Sequence, residues 1–271
     1  MMLQTSIKSC YVGPDISPEQ FIPEHLFLYL VQGDIEGFDG HRHYRLNTGG
    51  ACLIRKNRLA RYSKQPVDGQ FEKIAVVLDE PLLRSFMDRH AAQISHAEKP
   101  PTDAFMRIDM DDRLHAFIQS LTPYYQGNGR IDPAFADLKR EELLLLLLQQ
   151  QPMLGAVLFD FRPPGRLDLE SFMNAHYKFN VSLDRFAYLT GRSLSAFKRD
   201  FKTIFNNSPA AWLVKRRLDE AHFLLTHEPK TASDIYLDLG FEDLSHFSFA
   251  FKKQFGYSPR QLQASKESTA G

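Results

Sequence analysis

Two stretches in the last third of the chain carry side chains whose types and spacing suit a polyanionic partner. From Leu194 the chain reads LSAFKRDFKTIFNNSP, and fifty positions later, from Leu244, it reads LSHFSFAFKKQFGYSP. At helical spacing the first copy presents Ser195, Lys198, Arg199 and Lys202 along one side, with Arg192 just ahead of it. The second presents Ser245, Ser248, Phe249 and Lys252, flanked by His246 and Lys253. Ammonium and guanidinium groups pair with phosphate oxygens and match the two major-groove acceptors of guanine, while serine hydroxyls suit several base edges. One such stripe is what any solvated helix face looks like; two copies at a fixed interval point to DNA.

These residues need rods to hold them. Leu194, Phe197, Phe201 and Ile204, with Phe205 beside them, form the expected buried stripe of the first rod, and Leu244, Phe247 and Phe251 that of the second. The two copies share Leu, Ser, Phe, Phe, Lys, Phe, Ser and Pro at eight of sixteen positions, all in order. Each follows a shorter helical segment that ends in glycine, SLDRFAYLTG and TASDIYLDLG. Ser182 and Thr231 are sited as N-caps, Asp234 completes a capping box, and Gly191 and Gly240 stand where a helix end needs a left-handed residue. Short helix, tight turn and longer helix make a helix-turn-helix.

A cap and first-turn proline, Ser208-Pro209, open a helical pattern running to about Thr226. At about 1.5 Å per residue this connector spans about 27 Å, suited to setting two recognition helices in major-groove segments about 34 Å apart. Trp212, Leu213 and Leu218 are expected to pack it against the two units, and Lys215, Arg216 and Arg217 to form a basic cluster near the DNA backbone.

The stretch from Leu167 to Leu262 resembles the DNA-binding domain of the AraC/XylS family of bacterial transcription regulators. The resemblance rests on the LSxFxxxFKxxFxxSP repeat and on GFEDLSHFSFAFKKQFGYSP. It implies seven helices with two helix-turn-helix units, base-edge roles for Ser195, Lys198, Arg199, Ser245, Ser248 and Phe249, and phosphate roles for Lys202 and Lys252. Phe249 departs from the arginine or other polar residue often found there; its ring either meets a thymine methyl or covers a neighbouring side chain.

Upstream, short β-type runs, LFLYLV, HYRL, ACLI and KIAVVL, alternate with glycine turns between about His25 and Leu78. They predict a small antiparallel barrel similar to the cupin-like sensor domain of many such regulators. His41 and His43 form an HxH pair, but YRLNTGGACL follows instead of the glutamate and glycine of metal-binding cupins, which favours a surface hairpin and no metal. From Pro81 helical patterns take over, with long candidates at Thr102 to about Gln126 and Pro133 to Gln151. The second contains six consecutive leucines, which must be covered on several sides; Leu138, Leu143, Leu145 and Leu146 are the candidate dimerisation residues. The LKREELL segment, followed by SFMNAHYKF, resembles regulators of the ExsA kind, in which a protein partner controls activity.

Composition bounds the rest. The chain has 271 residues and zero formal net charge, but residues 166–271 carry 15 Lys and Arg against 12 Asp and Glu, and residues 1–165 carry 18 against 21. No run of about 18 apolar residues is present and the start lacks a secretion pattern, so a cytoplasmic protein is expected. Cys10 and Cys52 are too few for a disulfide scaffold. The expectation is an α+β chain: a cupin-like sensor and oligomerisation domain at 1–160 (β over 20–80, helical over 81–160), a linker at 161–167 containing Pro163 and Pro164, and an all-α DNA-binding domain at 168–271. Double-stranded DNA, RNA polymerase, a second copy and a small-molecule or protein effector are the expected partners, without membrane or cofactor. No nucleophile with base and orienting group, and no phosphate-cradling glycine loop, supports an enzyme. An interaction adaptor with a degenerate tail is the alternative, for which Phe249 is the hint.

Overall fold

Strand-forming runs rich in Val, Ile, Leu and Phe, broken by glycine turns, build the first part of the chain. The computed structural model describes residues 6–12, 20–91, 103–126 and 130–267. It divides into a head, residues 1–162, and a tail, residues 163–271. In the head, the main sheet has seven strands in the order Phe105–Ile108, Ala51–Ile54, His25–Gln32, Gln70–Leu78, Ser6–Val12, Arg130–Ile131 and Tyr125–Gln126. Pairing is antiparallel except that Ser6–Val12 runs parallel to both neighbours. A second sheet joins His43–Leu46, Asp34–Phe38 and Arg61–Gln65, all antiparallel.

The strand Gln70–Leu78 shows how the layers form. Its Phe71, Ala75 and Val77 join Leu28, Leu30, Ile35 and Ile54 between the sheets, while Ile74, Val76 and Leu78 join Leu83, Phe86 and the leucines of the helical layer. Being covered on both faces, it reads as a continuous apolar run. Lys73, on the inter-sheet face, is 1% exposed and donates to the Tyr62 hydroxyl.

Helix α1 (Glu80–His90) starts where Asp79 accepts the Leu82 N–H, with Pro81 in its first turn. The next segment differs from the sequence expectation. Phe105–Ile108 is a strand paired with Ala51–Ile54, and helix α2 covers only Asp112–Leu121; Thr102 lies outside the described residues. Exposed Arg107 between buried Met106 and Ile108 is a period-two pattern, and Asp111 caps α2 by accepting the Leu114 N–H.

Helix α3 (Pro133–Gln150) carries the leucine run. Leu143, Leu144 and Leu147 are fully buried in the head's own core, and Leu145 and Leu146 are partly buried against it. Leu143 is therefore a core residue and not a surface for a second copy. Leu138, at 63% exposed, stands clear of that core. Arg140 fixes the helix: its guanidinium pairs with Asp79 at 3.1 Å and with Asp137, and it donates to the Val77 carbonyl. After α4 (Gly155–Leu158) the head closes with Phe161 between Lys56 and Arg84, whose cations lie 5.2 and 4.1 Å from the ring.

Seven helices make up the described tail: α5 (Leu169–His176), α6 (Leu183–Leu189), α7 (Leu194–Phe205), α8 (Pro209–His227), α9 (Ala232–Ile235), α10 (Leu244–Phe255) and α11 (Pro259–Glu267).

The burial pattern separates core from surface on α3. Leu143→Ala is expected to cost about 2–5 kcal/mol, and Leu138→Ala less than about 0.5 kcal/mol, in urea unfolding at concentrations that keep the chain monomeric. The reverse ranking would refute the placement of the two leucines.

Candidate nucleic-acid interface

Matched caps cut α7 and α10 to the same length. Ser193 accepts the Ala196 N–H at the start of α7, and Asp243 accepts the His246 N–H at the start of α10. Both rods run twelve residues and end on a left-handed residue, Asn206 at φ 50° and Gly256 at φ 85°. Phe197, Phe201, Phe247 and Phe251 are all 0% exposed. Trp212 of α8 closes the first rod, its ring 5.5 Å from Phe201 and 4.7 Å from Phe205. Phe205 thus fills the place expected of Ile204, which is 44% exposed, and Leu244 at the second rod's first turn is 37% exposed.

The opposite sides face solvent. Ser195, Lys198, Arg199 and Lys202 are exposed on α7; Ser245, His246, Phe249, Lys252 and Lys253 are exposed on α10, and Ser248 is half-buried. Arg192 does not belong with them. Its side chain is 7% exposed, bonding to Asp200 at 3.1 Å and donating to the carbonyls of Leu167 and Thr190. Proximity to a basic rod suggested a contact with DNA, but neighbouring acceptors draw the guanidinium inward.

Asp200 was not singled out by sequence. Its carboxylate meets Arg192 at 3.1 Å, Arg166 at 3.0 Å and Arg199 at 3.4 Å. The Arg192 hydrogen bond, with help from the other two cations, holds that carboxyl below the usual range. A lone acid inside a basic rod is the signal that marks it.

The turns ahead of the rods are fixed by close approach. Gly191 has φ 66°, and a Cβ there would lie 2.6 Å from the Gly165 carbonyl. Gly240 has φ 84°, and a Cβ would lie 2.6 Å from the Lys178 carbonyl oxygen and 2.9 Å from Arg217 Cζ. No side chain fits either place. Ser182 caps α6 through the Arg185 N–H, and the Asp234 carboxylate accepts both the backbone N–H and the hydroxyl of Thr231. Helix α9 is a single turn followed by a non-helical turn, shorter than the matching segment of the first unit.

Arg217 departs most from expectation. It is buried, donating to the carbonyls of Tyr177 (2.7 Å), Phe179 (2.8 Å) and Gly240 (2.8 Å). Burial pulls its guanidinium down to about 10, so it stays charged at neutral pH. The expected basic cluster on α8 therefore reduces to exposed Lys215 and to Arg216, which lies over the Tyr177 ring at 4.8 Å.

In the head, the His41 N–H is accepted by Asp39, and the His43 ring lies 4.7 Å from that of Phe38. Among the described residues no group of three or more His, Cys, Asp and Glu is placed to hold a metal. A cavity of about 620 Å³ opens between the sheets, with His43, Tyr44, Tyr62 and Phe105 in its wall. No described helix is long and apolar enough to cross a membrane.

Two capped rods of equal length, each behind a glycine turn, with phenylalanines buried inside and, Phe249 apart, polar or cationic groups outside, define a double helix-turn-helix protein. The profile of the ExsA N-terminal regulatory domain matches residues 25–155, and that of a helix-turn-helix domain matches residues 186–265. The chain carries the domain pair of AraC-type DNA-binding transcription regulators, an ExsA-type regulatory head and a helix-turn-helix tail. It is 28% identical to the thermoregulatory protein LcrF of Yersinia pestis over 98% of both chains. It is also 28% identical to the virulence regulon transcriptional activator VirF of Yersinia enterocolitica, over 89% of this chain and 90% of that one. With the transcriptional regulator ExsA of Pseudomonas aeruginosa it shares 27% identity over 88% of this chain and 85% of the relative.

Removing the buried guanidinium strands three carbonyls. Arg217→Ala is expected to destabilise the chain by about 3 kcal/mol or more, against less than about 0.5 kcal/mol for Lys215→Ala, in urea unfolding. Equal small losses would show that Arg217 does not tie the tail together.

Proposed function

We propose that this protein is a sequence-specific transcription activator that lays α7 and α10 in successive major-groove segments on one side of a duplex. The observation that carries the reading is the exposed Lys198, Arg199 and Lys202 on a capped rod, a rod that recurs fifty positions on as α10 with Lys252 in register with Lys202. Ser195, Lys198, Arg199, Ser245, Ser248 and Phe249 meet base edges, Lys202 and Lys252 meet phosphates, and His246 and Lys253 flank the second contact. Arg199 is 74% exposed and only 3.4 Å from Asp200, so it exchanges that carboxylate for guanine acceptors at small cost. Helix α8 has 19 residues, about 28 Å at about 1.5 Å per residue, a spacer of suitable length.

The head, taken as 1–160 with a linker to 167, regulates the tail at 168–271 and has no enzymatic role. Its likeness to an ExsA-type regulatory domain favours control by a protein partner, and the cavity offers room for a small molecule instead. Exposed Leu138, with Leu145 and Leu146 partly exposed beside it, supports association with a second copy. RNA polymerase is the partner that activation requires, and the cytoplasm is where both it and the DNA are found.

Fluorescence anisotropy with DNA from upstream of the regulated genes tests the reading. Arg199→Ala should lose about 1–3 kcal/mol on the preferred site and relax one base pair, whereas Lys202→Ala should weaken every sequence alike and flatten the log–log salt slope by about 0.9. An unchanged slope for Lys202→Ala contradicts its phosphate role. No salt-sensitive binding to any duplex makes the tail a protein-interaction module instead.

A further inference from the structure

Phe249 is the most exposed large apolar side chain among the described residues, at 70%. It stands on α10 with Ser245, Lys252 and Lys253 each one helical turn away and Ser248 adjacent. The fold has no need of it there, because Phe247 and Phe251 fill the inner side of the rod at 0% exposure. Exposure this large also removes the reading in which the ring covers a neighbouring side chain. Single exposed phenylalanines occur on ordinary surfaces, so exposure alone assigns nothing.

The internal duplication supplies the second observation. Phe249 lies fifty positions after Arg199, on a rod of the same length with the same type of cap and the same left-handed end. Arg199 projects a side chain that is 74% exposed from the equivalent place. Phe249 therefore occupies the position from which the first rod offers a guanidinium to a base edge. The lysines beside it draw a polyanion to this side. The apolar group on the major-groove edge of DNA is the 5-methyl of thymine, whereas a cytosine there would leave its amino donor unpaired against the ring.

We propose that Phe249 is the residue by which the second recognition helix selects thymine, through that methyl group. The inference rests on the proposed major-groove placement of α10. It makes the two rods read by different chemistry: charged hydrogen bonds to guanine from α7, and an apolar contact framed by serine hydroxyls from α10.

The test uses the full chain to enrich duplexes from a random library. Each thymine in the half of the enriched site assigned to α10 is then replaced by deoxyuridine, which removes only the methyl. At one position the replacement should weaken the unaltered protein about fourfold and leave Phe249→Ala unaffected. Phe249→Ala should bind the thymine site about tenfold more weakly than the unaltered protein. Phe249→Arg, which installs the first rod's chemistry, should move the preference at the same pair toward guanine. The proposal is overturned if every deoxyuridine substitution affects the unaltered protein and Phe249→Ala equally. It is also overturned if Phe249→Ala binds all DNA normally while transcription falls, because the ring then meets a protein. Failure to enrich any duplex would instead sink the DNA reading of the tail itself.

Discussion

The tail depends on one buried cation. The Arg217 guanidinium sends its hydrogen bonds to the carbonyls of Tyr177 and Phe179, which lie between α5 and α6, and to that of Gly240 in the turn before α10. Burying a charge costs several kcal/mol unless it is fully bonded, and orphaned carbonyls carry their own cost. Here the two needs answer each other: three carbonyls accept from one planar fork. The same contact requires Gly240, because any Cβ would strike Arg217 Cζ at 2.9 Å. Helix α8 is thus more than a spacer. Its middle binds the approach to both recognition helices, with Lys178–Glu220 at 2.9 Å and Asn180–Glu242 at 3.2 Å reinforcing the join.

Much of this was legible because it is local. The fifty-residue repeat, the N-caps at Ser182 and Ser208, the capping box at Thr231 and Asp234, and the left-handed glycines are set by backbone chemistry within a few residues. So were the strands His25–Gln32 and Ala51–Ile54, whose apolar runs need burial on two sides. What failed depended on distant partners. A basic residue on a helix looks the same whether it points out or in; Arg217 points in because of acceptors 23 to 40 positions away. Arg192 turns inward toward the Leu167 carbonyl 25 positions upstream. Leu143 reads like its neighbours until the sheet beneath it is in place. Ile204 and Leu244 lie at rod ends, where a small phase error decides exposure.

The placement of charge also shows why composition says so little about the interface. The tail has a small excess of cations, yet Arg192 and Arg217 are spent inside it, and Asp200 partly neutralises Arg199 and Arg166. On the outer sides of α7 and α10 what remains for a polyanion is Lys198, Lys202, Lys252 and Lys253 with the loosely held Arg199. A face of that size favours the use of two rods, since each alone offers few phosphate contacts and modest base discrimination.

The two copies differ in a way that follows from this network. Their shared residues, such as Phe197 with Phe247, Phe201 with Phe251, and Ser208 with Ser258, are buried stripes and helix caps that the fold requires. The differences include Arg192, Arg199 and Asp200, which become Glu242, Phe249 and Ala250 fifty positions on. In the first copy Asp200 pairs with both arginines, so the three form a set. A carboxylate at position 250 would have no guanidinium partner on its rod and would lie against the core of the second unit, where Ala250 packs. Alanine avoids that cost, and Glu242 finds its partner in Asn180 instead. Exchange of the charged set as a whole leaves the second rod with an uncharged centre between its serines and lysines, while the packing beneath it is kept.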